Sequence, residues 1–232
     1  MCGRALNGKV AASYTWAEDR DIPEPMPPPL TRDEIVRRLA DTPPIEDLLT
    51  ADDLEKQRVA ASAGDLTPAA VLLLVVNRPG EPVVVFTQRT AHLADHAGQI
   101  SFPGGRVEEG DEGPVHTALR EAREEVGIDP SGVEILGELP DYHTSTGYRV
   151  RPVVGWAEPP VTWSPDPHEV ADVFEVPLAF LLETANHRYE SAFYKGRLRH
   201  YWAMPWRGRF IWGATAGMLV TFQRIVGGGR GE

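Results

Sequence analysis

The sequence predicts an α+β fold, a mixed sheet packed against helices, and three observations carry that expectation. Strand-length apolar runs and helical segments are intermixed along the chain without the regular alternation of βαβ proteins. The run Ala69–Val76 (AAVLLLVV) is continuously apolar over strand length, which suits a strand covered on both faces. A helix over Pro114–Val126, ended by Gly127 as a left-handed cap, supplies a covering layer.

In chain order, residues 1–30 read as an arm. Ile22–Leu30 (IPEPMPPPL) favours polyproline II and cannot enter a helix or a central strand. Thr31 followed by Glu34 resembles a capping box, and DEIVRRLA continues as a helix to about Ala40. A second helix near Thr50–Val59 has charges all round and little apolar face. Its functional reading is a dimerisation or lid element, against an accessory packing segment. Residues 1–67 are therefore taken as a Pro-rich arm with one or two helices, followed by one domain over 68–226 and a tail at 227–232.

Within that domain, Asn77–Gly80 turns the chain and Pro82–Gln88 returns as the second strand of a hairpin. A polar loop follows over 89–98, then a short strand over Gln99–Phe102 and a Pro103–Gly104–Gly105 turn. After the 114–126 helix come strands at Val133–Leu139 and Arg149–Trp156, joined by a loop over 140–148. Pro159–Pro167 is a proline-rich loop. A strand over Val170–Val176 leads to a helix near Leu178–Thr184. His187–Tyr194 and Leu198–Met204 pair as a hairpin around Lys195–Arg197, and Gly213–Val226 closes the domain as a helix. Trp202, Trp206 and Trp212 read as core or hairpin packing.

Composition narrows the functional classes. Hydrophobic content of 42% and charged content of 25% are ordinary for a soluble globular chain of 232 residues. No apolar run approaches membrane-span length, so a membrane partner is not expected. The N-terminus lacks an apolar leader segment, and a single cysteine, Cys2, cannot staple the fold; a reduced, cytoplasmic setting is the default expectation. With 34 acidic against 23 basic residues the formal charge is −11, which argues against nucleic acid as a partner. A small anionic substrate stays compatible, because arginines and a bound metal can reverse the potential locally.

Chemistry concentrates in Gly104–Ile128, GGRVEEGDEGPVHTALREAREEVGI. Glu121, Glu124 and Glu125 lie three and four apart, on one side of the helix. Like charges at that spacing cost roughly 0.2–0.5 kcal/mol per pair. Carboxylates in the last turn face the negative end of the helix dipole, at roughly 0.3–1 kcal/mol each. One reading is a solvated face partly neutralised by Arg120 and Arg123; the other is a cluster held together by a cation. The preceding Gly104–Gly105 favours the second, since glycines let backbone groups approach a ligand closely. Carboxylate and carbonyl oxygens are the ligands of hard ions such as Mg²⁺. No His or Cys cluster at zinc spacing is visible.

The run Arg120–Ile128 (REAREEVGI), with Gly104–Gly105 upstream, resembles the Nudix box. Glu112 falls at the usual position of the box glutamate, but Arg106 then occupies the usual glycine position, and either Asp111 or Glu112 is open as the partner of Arg120. The resemblance implies an α/β/α sandwich with a mixed central sheet. It also implies hydrolysis of a nucleoside diphosphate linked to another moiety, with Mg²⁺ or Mn²⁺ as cofactor. The segments Phe86–Thr90 (FTQRT) and His96–Gly105 (HAGQISFPGG) are similar to the coenzyme A pyrophosphatase branch, as are Gly147–Gly155, Glu169–Leu178 and Ile211–Ala216. Thr90 stands where that signature has Ser or Ala, and Ala94 where it has Arg.

By resemblance, the metal ligands are Gly104, Glu121, Glu124 and Glu125, and the catalytic carboxylates Glu121, Glu125 and Glu169. Glu121 is open as ligand or water-orienting base, and Glu169 has an exposed loop glutamate as its alternative. Arg89, Gly105 and Arg106 are the candidate substrate contacts, with a structural ion pair as the alternative for Arg89. His96 and His143 are read as hydrogen-bonded structural groups before phosphate contacts. The expected partner is a small nucleotide substrate, coenzyme A or acyl-coenzyme A first, with ADP-ribose, NADH or another dinucleotide as the alternative. A homodimer is compatible with the arm. A catalytically silent nucleotide sensor is the reading from another class, and the intact glutamates count against it.

Overall fold

The computed structural model describes residues 30–62, 64–91, 98–194 and 197–227. The polyproline arm, Ala94, His96 and the tail beyond Gly227 lie outside the described residues. Three helices come first: α1 (Arg32–Ala40), α2 (Ile45–Leu48) and α3 (Ala51–Ser62). β1 (Thr67–Val76) and β2 (Val83–Arg89) form the expected hairpin, followed by β3 (Ile100–Ser101) and β4 (Gly104–Arg106). α4 (Pro114–Val126) is followed by β5 (Val133–Glu138), β6 (Tyr142–His143), β7 (Tyr148–Ala157) and β8 (Val170–Pro177). α5 (Leu178–Leu182), β9 (Arg188–Tyr194), β10 (Arg197–Trp206), β11 (Arg209–Trp212) and α6 (Ala214–Val226) complete the fold.

The central sheet runs β3-β2-β1-β7-β5, with β4 added to β1, β6 to β7 and β8 to β2. It is mixed: β1 and β7 are parallel over Thr67–Val76 against Tyr148–Ala157, whereas the other pairs are antiparallel. β1 is at the centre, and its alternate side chains divide between two cores. Ala70, Leu72, Leu74 and Val76 pack under α4 against Ala118, Ala122 and Val126. Leu73 and Val75 face the opposite core, built with α1 and α6 from Ile35, Leu39, Leu219 and Phe222. Helices thus cover both faces, and the apolar continuity of β1 has its cause. Alanines at 118 and 122, both with no exposed surface, bring α4 close to the sheet. A larger side chain at either would cost about 1–3 kcal/mol in overpacking.

The upstream helices join this core. Ile35, Leu39 and Leu48 are buried in it, and Arg38 donates to the Val226 carbonyl. Thr31 caps α1 by accepting the Glu34 amide at 3.3 Å, but the Glu34 carboxylate turns to Arg37 and Arg38, so only half of the capping box forms. α3 is tied through polar contacts: Gln57 Oε1 accepts the His143 amide at 2.6 Å, and Trp202 Nε1 donates to Asp53 at 3.1 Å. Among the described residues no helix is long and apolar enough to cross a membrane.

Three short strands depart from the sequence reading. Gly104 and Gly105, expected in a turn, instead join Arg106 as β4 and pair with Ala69–Val71. Residues 142–143, expected in a loop, pair with β7. Arg209–Trp212 adds a third strand to the expected β9–β10 hairpin. The helix expected to reach Thr184 ends at Leu182, and a 3₁₀ turn follows over Thr184–Asn186.

Candidate active site

The site is built where β4 passes beneath α4. Gly104 has φ +153°, and a Cβ there would lie 2.4 Å from the Ala70 carbonyl oxygen, so only glycine lets the strand lie this close to β1. A Cβ on Gly105 would lie 2.4 Å from Glu121 Oε1. The two glycines therefore make a floor on which the carboxylates of α4 rest. At the far end, Gly127 takes φ 72° and ψ 18°, the left-handed cap expected from the sequence, and donates to the Arg123 carbonyl at 3.0 Å.

Glu125 is the innermost of the glutamates, with its side chain only 4% exposed. Its Oε2 accepts the Gly104 amide at 3.1 Å, and Oε1 stands 3.5 Å from Arg89 Nη1. Burial pushes its carboxyl up to about 8, against the opposing pull of the Gly104 amide and Arg89; Glu121 and Glu169 push it further in the same direction. Burial also raises the Glu121 carboxyl, which Arg120 opposes from 3.0 Å, with Glu124 and Glu169 adding to the rise. Glu124 is placed differently. Its side chain is 60% exposed and pairs with Arg120 Nη1 at 3.2 Å. Regular helical spacing put all three glutamates on one flank, and the structure draws Glu124 outward on an arginine.

Arg120 is the hub of the loop that precedes the helix. Its Nε and Nη2 reach the two Asp111 oxygens at 3.1 and 3.0 Å, and Nη2 also donates to the Arg106 carbonyl at 3.0 Å. Asp111 further accepts the Glu108 amide, Thr117 Oγ1 and His116 Nδ1. Arg120 and these donors hold the Asp111 carboxyl well below the usual carboxylate range. Of the two acidic candidates, Asp111 is the partner of Arg120, while Glu112 is exposed.

The remaining candidates divide. Glu169, outside the box, is brought close enough for its charge to act on both Glu121 and Glu125. Arg89 arrives beside Glu125 from the end of β2. Arg106 points elsewhere: its guanidinium lies over the Tyr148 ring at 5.4 Å and donates to the Tyr148 hydroxyl, at 3.1 Å from Nε. His143 contributes its backbone amide to Gln57. Sequence reasoning named Thr90 only as a departure from the coenzyme A branch pattern and did not single out Asp166. Both shape this region through hydrogen bonds to the 164–170 turn, to which the fold brings Thr90 from β2 and Glu125 from α4.

Among the described residues no three His, Cys, Asp or Glu side chains already stand at metal-ligand distances. The donor chemistry nonetheless fits a hard divalent cation. Glu121 and Glu125 are carboxylates largely removed from water, packed against the backbone of Gly104 and Gly105. A buried carboxylate so sparsely compensated must be protonated or balanced by a cation. Glu124 could complete the set by leaving an exposed ion pair, at a cost of about 0–1 kcal/mol.

Comparison with known proteins identifies the family of the domain that carries this site. The family model for the NUDIX domain matches residues 66–195. A protein named "Uncharacterized Nudix hydrolase NudL" from Escherichia coli O7:K1 (strain IAI39 / ExPEC) is 39% identical over 183 residues, covering 79% of this chain and 95% of that protein. The protein of the same name from Shigella boydii serotype 18 is likewise 39% identical, with the same coverage. Among solved structures, a C. elegans Ap4A hydrolase binary complex is similar at TM-score 0.42 and 21% identity, over 48% of this chain and 80% of that one.

Proposed function

This chain belongs to the Nudix hydrolase family, and we propose that its substrate is coenzyme A or an acyl-coenzyme A. The products would be 3′,5′-ADP and 4′-phosphopantetheine or its acyl form. Family membership gives the wider class, a pyrophosphohydrolase of nucleoside diphosphate-linked compounds that depends on a divalent metal. The finer reading rests on one observation. The segment resembling the coenzyme A branch enters along β2 and leaves along β4, so that it supplies both neighbours of Glu125: Arg89 at 3.5 Å and the Gly104 amide at 3.1 Å.

Mg²⁺ or Mn²⁺, when bound, neutralises non-bridging oxygens of the diphosphate and acidifies water. Glu121, Glu124, Glu125 and the Gly104 carbonyl would hold it. Glu169 accepts a proton from the water as its oxygen attacks one phosphorus of the diphosphate. The bridging P–O bond breaks and the second phosphate leaves as its anion, while Glu121 and Glu125 keep that water oriented. Arg89 binds a phosphate oxygen, releasing its long contact to Glu125 as it does so. Gly105 offers backbone to the substrate, whereas Arg106, engaged with Tyr148, is left out of the substrate contacts. Arg89 and the metal allow a chain of charge −11 to accept a polyanion.

Incubation of the purified protein with coenzyme A, NADH, ADP-ribose and diadenosine polyphosphates, in Mg²⁺ or Mn²⁺, tests the proposal through the phosphate-ester products. Release of 3′,5′-ADP at the highest kcat/KM supports it. Faster cleavage of NADH or ADP-ribose replaces the substrate, and no cleavage by folded protein favours a nucleotide sensor. Competition with dephospho-coenzyme A then asks whether the 3′-phosphate is recognised.

A further inference from the structure

Glu169 sits on an exposed loop, yet its backbone is held from two directions. On the α4 side, the Ser164 amide donates to the Val126 carbonyl at 2.9 Å and the Asp166 amide to the Glu125 carbonyl at 3.0 Å. These are terminal carbonyls for which the helix itself has no partner. Asp166 then closes a tight turn. Its Oδ1 accepts the His168 amide at 2.8 Å, and its carbonyl accepts the amides of Glu169 at 3.1 Å and Val170 at 2.8 Å.

On the β2 side, Thr90 grips the same turn. Its amide donates to the Glu169 carbonyl at 2.9 Å and its hydroxyl to the His168 carbonyl at 3.1 Å. Thr90 is 6% exposed. A residue there needs only its amide to extend the strand pairing, so the buried hydroxyl does something additional. Both anchors belong to elements that also carry site groups. α4 bears Glu121 and Glu125, and Arg89 immediately precedes Thr90. The loop therefore fixes Glu169 relative to all three.

We propose that Thr90 and Asp166 are positioning residues that hold Glu169 at the reaction centre, acting through the 164–170 turn without touching substrate. This rests on the reading of Glu169 given above. Displacement of a reacting group by about 1 Å costs on the order of 100-fold in rate, so a partial release of the turn is visible kinetically.

The test compares wild type, Thr90→Val, Thr90→Ser, Asp166→Ala and Glu169→Gln, with each of the first and third substitutions also combined with Glu169→Gln. The readouts are kcat and KM on the best-cleaved member of the panel with Mg²⁺, and amide hydrogen exchange over 164–170 in the metal-free protein. Thr90→Val is expected to lower kcat roughly tenfold with KM nearly unchanged and to speed exchange in that segment but not in α4. Thr90→Ser, which keeps the donor, restores both. In the Glu169→Gln background the Thr90→Val loss disappears, because the group it positions is already gone. An equal loss in both backgrounds, or unchanged kcat and exchange, overturns the proposal. Full activity in Glu169→Gln instead sinks the role of Glu169, and the positioning claim with it. Should Thr90→Val not fold, Asp166→Ala is judged by the same criteria.

Discussion

Gly105 and Glu121 interlock across the β4–α4 contact: the space a Cβ would need at Gly105 is already taken by the Glu121 carboxylate, whose Oε1 lies 2.4 Å from that point. Gly105→Ala therefore moves a site carboxylate without adding charge or burying a new polar group. Glu121 is the end of a flexible side chain and yields more cheaply than backbone. The expected result is a loss of kcat/KM on the order of 100-fold with an almost unchanged far-UV spectrum. Activity within threefold of wild type would show that Glu121 has freedom the catalytic assignment does not allow.

Glu124 and Glu125 are adjacent in sequence and opposite in environment, which makes their substitutions informative as a pair. Glu124 is exposed and paired with Arg120, so Glu124→Gln changes stability by about 0–1 kcal/mol. Turnover should nevertheless be abolished, because this glutamate is assigned to the metal. Glu125→Gln should abolish turnover as well and weaken Mn²⁺ binding, measurable by titration in the absence of substrate. Retained turnover in Glu124→Gln would remove that residue from the ligand set and leave Glu121 and Glu125 to hold the ion.

How far the sequence discloses this site depends on whether the information is local. The α4 helix, its Gly127 cap and the buried β1 were legible because periodicity, a terminal glycine and an unbroken apolar run are written in consecutive residues. β4 was not, since a Pro-Gly-Gly sequence favours a turn and only the partner strand β1 makes three residues extended. β11 is short and follows Arg207 and Gly208, both at positive φ, which look like loop. Helical spacing aligned Glu124 with its neighbours but could not register that Arg120 draws it aside. Asp111 and Glu112 are chemically equivalent on paper and were separated only by the path of the loop. Thr90 and Asp166 acquire meaning from contacts with residues on other elements.

The Asp111–Arg120 pair makes a prediction about acid. Asp111 is 2% exposed at the side chain, and Arg120 holds its carboxyl below the unfolded value of 3.8. A depressed folded-state value means the contribution is fully present above the unfolded value and is lost as pH falls through the folded one. Asp111→Asn should therefore be less stable than wild type at pH 7, by about 2–3 kcal/mol. That gap should narrow as denaturant unfolding is repeated below pH 4 or so. A difference that stays constant down to pH 3 would assign the cost to altered loop packing instead of charge.

Gly127 combines two constraints that a substitution series can separate. Its φ of 72° disfavours a side chain by roughly 1–2 kcal/mol. Independently, a Cβ there would lie 2.8 Å from Ser164 Cβ and 3.0 Å from the Ser164 carbonyl oxygen, on the segment that leads to Glu169. Asn accepts the left-handed conformation but carries the same Cβ as Ala. If conformation alone mattered, Gly127→Asn would behave like wild type while Gly127→Ala lost stability. The packing contact instead predicts that Asn rescues only part of the loss, and that both variants push the Ser164 turn away from α4. Thermal unfolding should then place Gly127→Ala lowest, about 2–8 °C below wild type at roughly 2–4 °C per kcal/mol for a chain of this size, with Gly127→Asn between. Both should lose more kcat than their Tm values account for, because the displaced segment is the one that presents Glu169. Full recovery of Tm and kcat in Gly127→Asn would mean that the Ser164 contact relaxes freely and that the turn does not depend on the helix end for its position.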